Sequence, residues 1–149
     1  MSDLIDDRTV DDLRIIWDQS PGYVGPRVVD APTELRMIRD FLSRETWQHF
    51  VQFIMPGVME HHGRVMEYSG FRFQSDLDAD DDPFQGVEMF DPIDTIYIRE
   101  AAFDRLMSRY FDTVIRGVVE HQRPEAHEPW WQGFVASARV LADRLGHRI

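Results

Sequence analysis

Residues 100–121 carry the clearest pattern of apolar and polar positions in the chain, and this pattern predicts a long amphipathic helix. Its apolar side chains recur at helical spacing, while Asp104, Arg109 and Arg116 are among the charged residues on the opposite side. The apolar stripe consists of Phe103, Leu106, Met107, Tyr110, Phe111, Val114 and Val118. We expect this stripe to pack on a sheet or on other helices.

Helical spacing also predicts helices in the first 60 residues. A short first helix is predicted behind Thr9, which has the side chain of an N-cap and is followed by acidic residues of a first turn. Leu13, Ile16 and Trp17 then follow at helical spacing. Residues 19–32 contain three prolines and two glycines, which predicts a loop. After Thr33, two apolar stripes change phase at residues 43–45, which indicates a bend or two separate helices.

Two further helix signals concern where helices end. Pro56 and Gly57 predict an end or a kink near Met55. Near the C-terminus, Gly146 supplies a stop signal for a last predicted helix. The apolar stripe of that helix contains Phe134, Ala138, Leu141 and Leu145.

The helical period is absent between Arg64 and Ile98, where short apolar pieces alternate with turn residues. A hairpin turn is predicted at Ser69-Gly70, with Phe71 and Phe73 on one face of the following strand. Two more strands, Gly86–Phe90 and Thr95–Ile98, are joined by Asp91–Asp94. The sequence therefore predicts an α+β fold: a helix-rich single domain over residues 1–149, with a small antiparallel sheet at about residues 64–98 packed against long amphipathic helices.

The predicted sheet region is also the most acidic part of the chain. Residues 73–98 hold eight carboxylates and no basic residue, and so carry −8 of a formal net charge of −11. A strongly negative patch speeds association with a positively charged partner. Its alternative is a solvated loop with no specific partner. The candidate partner-binding residues are Asp76, Asp78, Asp80, Asp81, Asp82, Phe84, Glu88, Asp91 and Asp94.

Within this set, residues 76–82 are expected to form an exposed loop between strands. Phe84 follows the loop directly, and an aromatic side chain beside acids can anchor an interface. The alternative for Phe84 is a core residue beneath the loop. Trp130 and Trp131 present the same choice, and here the helical spacing to Phe134 favours the core.

Metal binding is an alternative role for the same carboxylates. Asp76, Asp78 and Asp80 match the first three ligands of an EF-hand, but Val87 stands where the bidentate Glu belongs and Glu88 comes one residue late. The six histidines lack the spacings of helical metal sites. We predict no metal site and no cofactor, and keep a calcium site of another type on this loop as an alternative.

Composition narrows the function classes. The chain has no cysteine, no Gly-x-Ser-x-Gly, no Ser-x-x-Lys and no phosphate-binding glycine loop, so no catalytic residue is predicted. All 16 basic residues are arginine, yet the net acidity argues against nucleic acid as a ligand. An acidic N-terminus and the lack of a long apolar run favour a cytoplasmic protein without membrane contact. The oligomeric state is left open.

One stretch resembles a known class of proteins. The strand pair Gly86–Phe90 and Thr95–Ile98, its connection Asp91–Asp94 and the helix opening Arg99–Phe103 resemble small acidic immunity proteins of bacterial toxin systems. In those proteins an acidic loop precedes a strand pair that runs into a long amphipathic helix. The resemblance covers about residues 70–120, about a third of the chain. It implies a protein that binds a cognate toxin and blocks its active site or its access to substrate.

The sequence thus leads to three hypotheses. In the first, the acidic loop and an adjoining strand edge bind a basic protein, plausibly a secreted nuclease-type toxin, and the protein is an immunity protein. In the second, the carboxylates at 76–82 serve a metal-dependent enzyme or a calcium-binding module. In the third, the chain is a structural subunit.

Overall fold

The computed structural model of the chain describes residues 3–146. Within that range it contains five α-helices and six strands, and so confirms the predicted α+β class. The helices are α1 (Asp7–Asp11), α2 (Arg36–Leu42), α3 (Trp47–Glu60), α4 (Glu100–Glu120) and α5 (Trp131–Arg144). The strands are β1 (Arg14–Ser20), β2 (Tyr23–Val29), β3 (Arg64–Met66), β4 (Ser69–Phe73), β5 (Val87–Phe90) and β6 (Thr95–Ile98).

Strands β3 to β6 form an antiparallel sheet in which each strand pairs with the next along the chain. The predicted connection of β5 to β6 through residues 91–94 is confirmed. The predicted turn at Ser69-Gly70 is wrong, because the two turn residues are Glu67 and Tyr68, with φ of 52° and 68°. Gly70 instead lies within β4, where a side chain would collide with the backbone of Arg64.

One face of this sheet is buried against helices. Phe71 and Phe73 of β4 point to the same side, as predicted, and both are buried. Their rings lie 5.0 and 5.5 Å from the ring of Phe103 on α4. Phe41 of α2 approaches Phe71 at 6.3 Å. Val87, Met89 and Ile98 lie on this same face in the strand register and are also buried. The opposite face of the sheet therefore carries the alternate side chains, among them Arg72, Glu88 and Tyr97.

The N-terminal region differs from the prediction. Residues 13–17 do not form a helix and residues 19–32 do not form a loop, because β1 and β2 pair as a hairpin with Pro21-Gly22 as its two-residue turn. The two strands together contain five β-branched residues (Ile15, Ile16, Val24, Val28 and Val29) and two aromatic ones (Trp17 and Tyr23). This strand preference outweighs a helical spacing that rests on only three apolar residues. The short helix α1 ends at Asp11, near where the predicted helix begins.

Helix α4 is the centre of the molecule. All seven residues of its predicted apolar stripe are buried. Tyr110 meets Phe50 of α3 at 6.1 Å, and Phe111 meets Phe134 of α5 at 5.6 Å. The hairpin packs on the same helix, since the indole of Trp17 lies directly over Gly117.

The remaining helix predictions have mixed outcomes. The phase change at residues 43–45 does separate two helices, and α5 buries Phe134, Ala138 and Leu141 as predicted. Trp131 is buried, in agreement with its expected place in the core. The predicted end near Met55 is wrong, because α3 continues through Pro56 to Glu60 and buries Val58.

Gly117→Ala tests the packing of the β1–β2 hairpin on α4, where the Trp17 ring contacts Gly117. The new methyl group would overlap the Trp17 ring, so we expect the free energy of unfolding to fall by about 2 kcal/mol or more in urea denaturation. Gly133→Ala on α5 is the matched control, because a methyl group there meets no atom within 4 Å and should be neutral or stabilise by up to about 1 kcal/mol. Equal stability of the wild type and Gly117→Ala would contradict this packing.

Candidate functional site

The acidic loop, defined as residues 76–82, begins with a carboxylate that has an internal role. Asp76 Oδ2 accepts hydrogen bonds from the backbone N–H of Phe73 (2.7 Å) and of Gly63 (2.8 Å). These bonds fix the position of the chain at the end of β4 and connect the loop to Gly63, which follows α3. Asp76 therefore positions the loop and has little capacity left for a partner.

The other four carboxylates of the loop face solvent. Asp78, Asp80, Asp81 and Asp82 are all exposed, as predicted, and within residues 3–146 none of them takes part in an ion pair. Asp81 Oδ2 accepts from the N–H of Asp78 at 2.8 Å, and this contact gives the loop a local turn. Four negative charges thus lie within five residues on the surface.

Glu88 is one of the two least accessible candidate carboxylates, with a side chain that is 12% exposed against 10% for Asp91. It lies on β5 directly between Arg72 of β4 and Tyr97 of β6 in the strand register. Its Oε1 accepts from Arg72 Nε at 2.8 Å, and its Oε2 accepts from the Tyr97 hydroxyl at 3.0 Å. Glu88 is 9% exposed. Hydrogen bonding to Glu88 raises the pKa of Arg72 above its usual value, so the guanidinium is held in its charged form.

Asp91 and Asp94, in the turn between β5 and β6, are neutralised by an arginine from another part of the chain. Arg36 of α2 donates to both carboxylates at 2.8 Å. Burial alone would raise the pKa of Asp91, but hydrogen bonds from the N–H groups of Asp94 and Ile93 and from Arg36 outweigh it and hold the pKa below its usual value. These two carboxylates stabilise the turn.

The predicted nine-residue surface therefore divides into two groups. The structure brings Asp78, Asp80, Asp81 and Asp82 together on the surface and engages the other four carboxylates in internal contacts. Sequence reasoning missed Arg72, the partner of Glu88, and Arg36, the shared partner of Asp91 and Asp94. Arg72 could have been found from its register opposite Glu88, whereas Arg36 lies 55 residues before Asp91 and gives no local signal.

Phe84 is buried, at 9% exposure, but it does not join the main core. Its ring lies 5.5 Å from the ring of Tyr97 and 5.9 Å from Arg72 Cζ. Phe84 therefore packs on the open face of the sheet, opposite the face that carries Phe71 and Phe73. Phe84 is thus buried, as one alternative from the sequence has it, and it also borders a surface cleft. Its use as an interface anchor stays a prediction. Gly86, with φ of 76°, lets the chain return into β5, because a side chain there would strike the backbone of Ile98.

A cleft of about 710 Å³ opens where the acidic loop folds back over the sheet. Its lining carries one positive and three negative side chains, which gives a formal charge of −2. The charged residues are Arg72, Asp81, Asp82 and Glu88, and the rest of the lining is Pro83, Phe84 and Tyr97. A shallower groove of about 380 Å³ continues along the same face beside Phe90 and Thr95. The site is an acidic cleft with aromatic walls.

The strands next to the loop are not edges of the sheet. The loop joins β4 to β5, and both are central strands with partners on each side. The outer strand β6 accepts a hydrogen bond at the Tyr97 carbonyl from the N–H of Ile5 (2.8 Å). The expectation that a strand edge adjoins the loop is therefore wrong, because β4 and β5 are paired on both sides and present the open face of the sheet to the loop instead.

Two further properties of residues 3–146 concern metal binding and membrane crossing. No group of three or more His, Asp or Glu side chains in that range is arranged to hold a metal ion. His61 lies 3.1 Å from Asp104 and stacks on Phe73 at 4.7 Å, which ties the end of α3 to α4 and to the sheet. None of the helices described has the length and apolar character needed to cross a membrane.

Comparison of the chain with protein-family models, with curated proteins and with solved structures finds no match.

Arg36→Met tests the neutralised turn. It leaves Asp91, whose side chain is 10% exposed, without its cation, so we expect a lower melting temperature at about pH 7. Because the pKa of Asp91 is lowered in the folded protein, its stabilising contribution is present above the usual carboxyl pKa and is lost as the pH falls. The difference between wild type and variant should therefore shrink in acid.

The matched control for that measurement is Arg39→Met, one turn along α2. Arg39 contacts only Asp40 among the ion pairs of residues 3–146, and its side chain is 45% exposed, so its loss should change the melting temperature little. An equal effect of both substitutions, or a difference that does not depend on pH, would contradict the role given to Arg36.

Proposed function

We propose that the protein binds a basic protein partner through the acidic loop and the adjacent cleft. The observation that carries this proposal is the contrast within one acidic segment. Glu88, Asp91 and Asp94 have arginine partners inside the fold, whereas Asp78, Asp80, Asp81 and Asp82 face solvent without an ion pair in the described part of the chain.

Electrostatic repulsion among the exposed carboxylates of the loop favours the binding of a positively charged partner. Like charges one or two residues apart raise the energy of the folded loop, and a positively charged partner relieves that repulsion on binding. The Debye length is about 8 Å at physiological ionic strength, so four carboxylates in one short loop act on an approaching partner together. The expected result is fast association that weakens with salt.

The resemblance to immunity proteins supports a more specific partner, a nuclease-type toxin. A protein that cleaves nucleic acid needs a basic surface for the phosphates of its substrate. In this proposal the carboxylates of the acidic loop take the place of those phosphates, and the bound protein blocks substrate from the toxin. The protein itself performs no chemistry in this role.

Neutralising the exposed part of the acidic loop tests the proposal. In the variant Asp78→Ser, Asp80→Ser, Asp81→Ser, Asp82→Ser, the partner that the wild-type protein retains from its native cell extract should associate at least about tenfold more slowly at low salt. The dissociation rate should change less, because steering acts before contact. Stopped-flow association rates over a salt series from about 0.01 to 1 M measure both effects.

A control variant loses the same charge elsewhere: Glu34→Gln, Glu120→Gln, Glu128→Gln, Asp143→Asn, all at exposed positions. It should associate within about twofold of wild type if the position of the charge matters, and not only its total. Equal slowing of both variants would contradict the proposal, as would an acidic partner. A rise of several degrees in the melting temperature with micromolar calcium, removed in the loop variant, would favour the calcium-binding hypothesis instead.

A further inference from the structure

We infer that the cleft beside the acidic loop receives one arginine side chain of the partner. This inference rests on the proposed function and adds to it a specific anchor. The cleft is formed where Phe84 folds back onto the open face of the sheet, so it is a shaped cavity and not only a group of acids. Its volume of about 710 Å³ lies in the range of roughly 300–1,000 Å³ that is usual for ligand pockets.

The aromatic walls favour a cation. The rings of Phe84 and Tyr97 lie 5.5 Å apart at an angle of 48°, and both contribute to the lining of the cleft. Aromatic faces attract guanidinium and ammonium groups, and the attraction increases when water is displaced. Phe84 is kept out of the main core and yet is buried, which places its ring where a guest side chain would stack.

The charge of the lining points the same way. Asp81, Asp82 and Glu88 outnumber Arg72, so the cleft has a formal charge of −2. A phosphate or a carboxylate would meet Arg72, but it would also meet three carboxylates, one of them on a residue that is only 9% exposed. A cation meets an excess of acceptors instead.

The protein already holds one guanidinium in this setting. Arg72 donates to Glu88 at 2.8 Å, and its Cζ lies 5.9 Å from the Phe84 ring. Carboxylate on one side and aromatic ring on the other thus already accommodate a guanidinium at this cleft, and Asp81 and Asp82 add two further carboxylates to the lining. Arginine suits it better than lysine, because its flat, weakly hydrated head stacks on rings and donates two parallel hydrogen bonds to a carboxylate.

The loop and the cleft then have different tasks. The exposed carboxylates of the loop attract the partner over a distance and set the association rate. The cleft removes one side chain from water and sets the dissociation rate, as buried arginine anchors do at protein interfaces. The two tasks can be separated by kinetics.

The direct test titrates N-acetyl-arginine amide into the isotope-labelled full-length protein and follows its amide resonances. We expect saturable shifts at Arg72, Phe84, Glu88 and Tyr97 with a Kd of about 1 mM, and no saturable shifts with the neutral citrulline analogue. Because this pair of ligands is compared on the wild-type protein, the test does not depend on the folding of a variant. Shifts confined to exposed carboxylates, or equal shifts with citrulline, would overturn the inference.

Phe84→Leu should weaken binding of the arginine amide about tenfold without changing the net charge. The matched control is Phe53→Leu on α3, because Phe53 is 39% exposed and lies 6.0 Å from Arg64 Cζ but does not line the cleft. It should leave binding unchanged. Equal weakening by both variants would overturn the assignment of the cleft.

The same variants separate this inference from the proposed function. With the captured partner, Phe84→Leu should raise the dissociation rate about tenfold and leave the association rate unchanged. If loop neutralisation slows association while the arginine amide fails to bind, the inference falls and the proposed function stands. If the amide binds while the partner is indifferent to the loop, the proposed function falls and the cleft remains a site for a basic side chain.

Discussion

The structure depends on helix α4 being buried along most of its length. Its apolar stripe meets the sheet through Phe103, α3 through Tyr110 and α5 through Phe111, and its last turns seat the hairpin at Gly117. Because the sheet is a single layer, packing one face on this helix leaves the other face open. The position of the candidate site follows from that constraint, since the acidic loop can fold back only over the uncovered side.

Charge is distributed over that open side in an uneven way. Arg72 and Arg36 neutralise the carboxylates that lie on or between the strands, where burial would otherwise make them costly. The loop between β4 and β5 has no such partner within the described residues, and its charge is displayed to solvent. The carboxylates on or between the strands are thus paired inside the fold, and the unpaired carboxylates of the acidic loop lie together at one rim of the cleft. Binding of a basic protein is the use that fits this arrangement best.

Much of the fold could be predicted from residue spacing. The α4 stripe runs from Phe103 to Val118, about four turns, and the β5–β6 pair is bounded by clear turn residues, so local signals and tertiary packing agree there. The N-terminal hairpin was missed because Leu13, Ile16 and Trp17 happen to fall at helical spacing, whereas Ile16 and Trp17 lie in β1 with partly buried side chains and Leu13 precedes the strand. Pro56 was given too much weight, since the apolar burial around Val58 outweighs one lost hydrogen bond.

Only part of the candidate site could be predicted from the sequence. The exposure of Asp78 to Asp82 follows from local composition, because a run of acids beside a proline has no means of burial. The neutralisation of Asp91 by Arg36 does not, because the two residues are brought together by the packing of α2 on the sheet. The double role of Phe84, buried but outside the main core, also requires the path of the loop to be known.

Hydrogen–deuterium exchange of the protein in complex with its captured partner tests the central claim most directly, because it maps the bound surface without any substitution. The account predicts that protection on binding is greatest in peptides that cover residues 77–90, the acidic loop and the strand behind the cleft. Protection centred on α1 or α5, with the loop exchanging as fast in the complex as in the free protein, would contradict it.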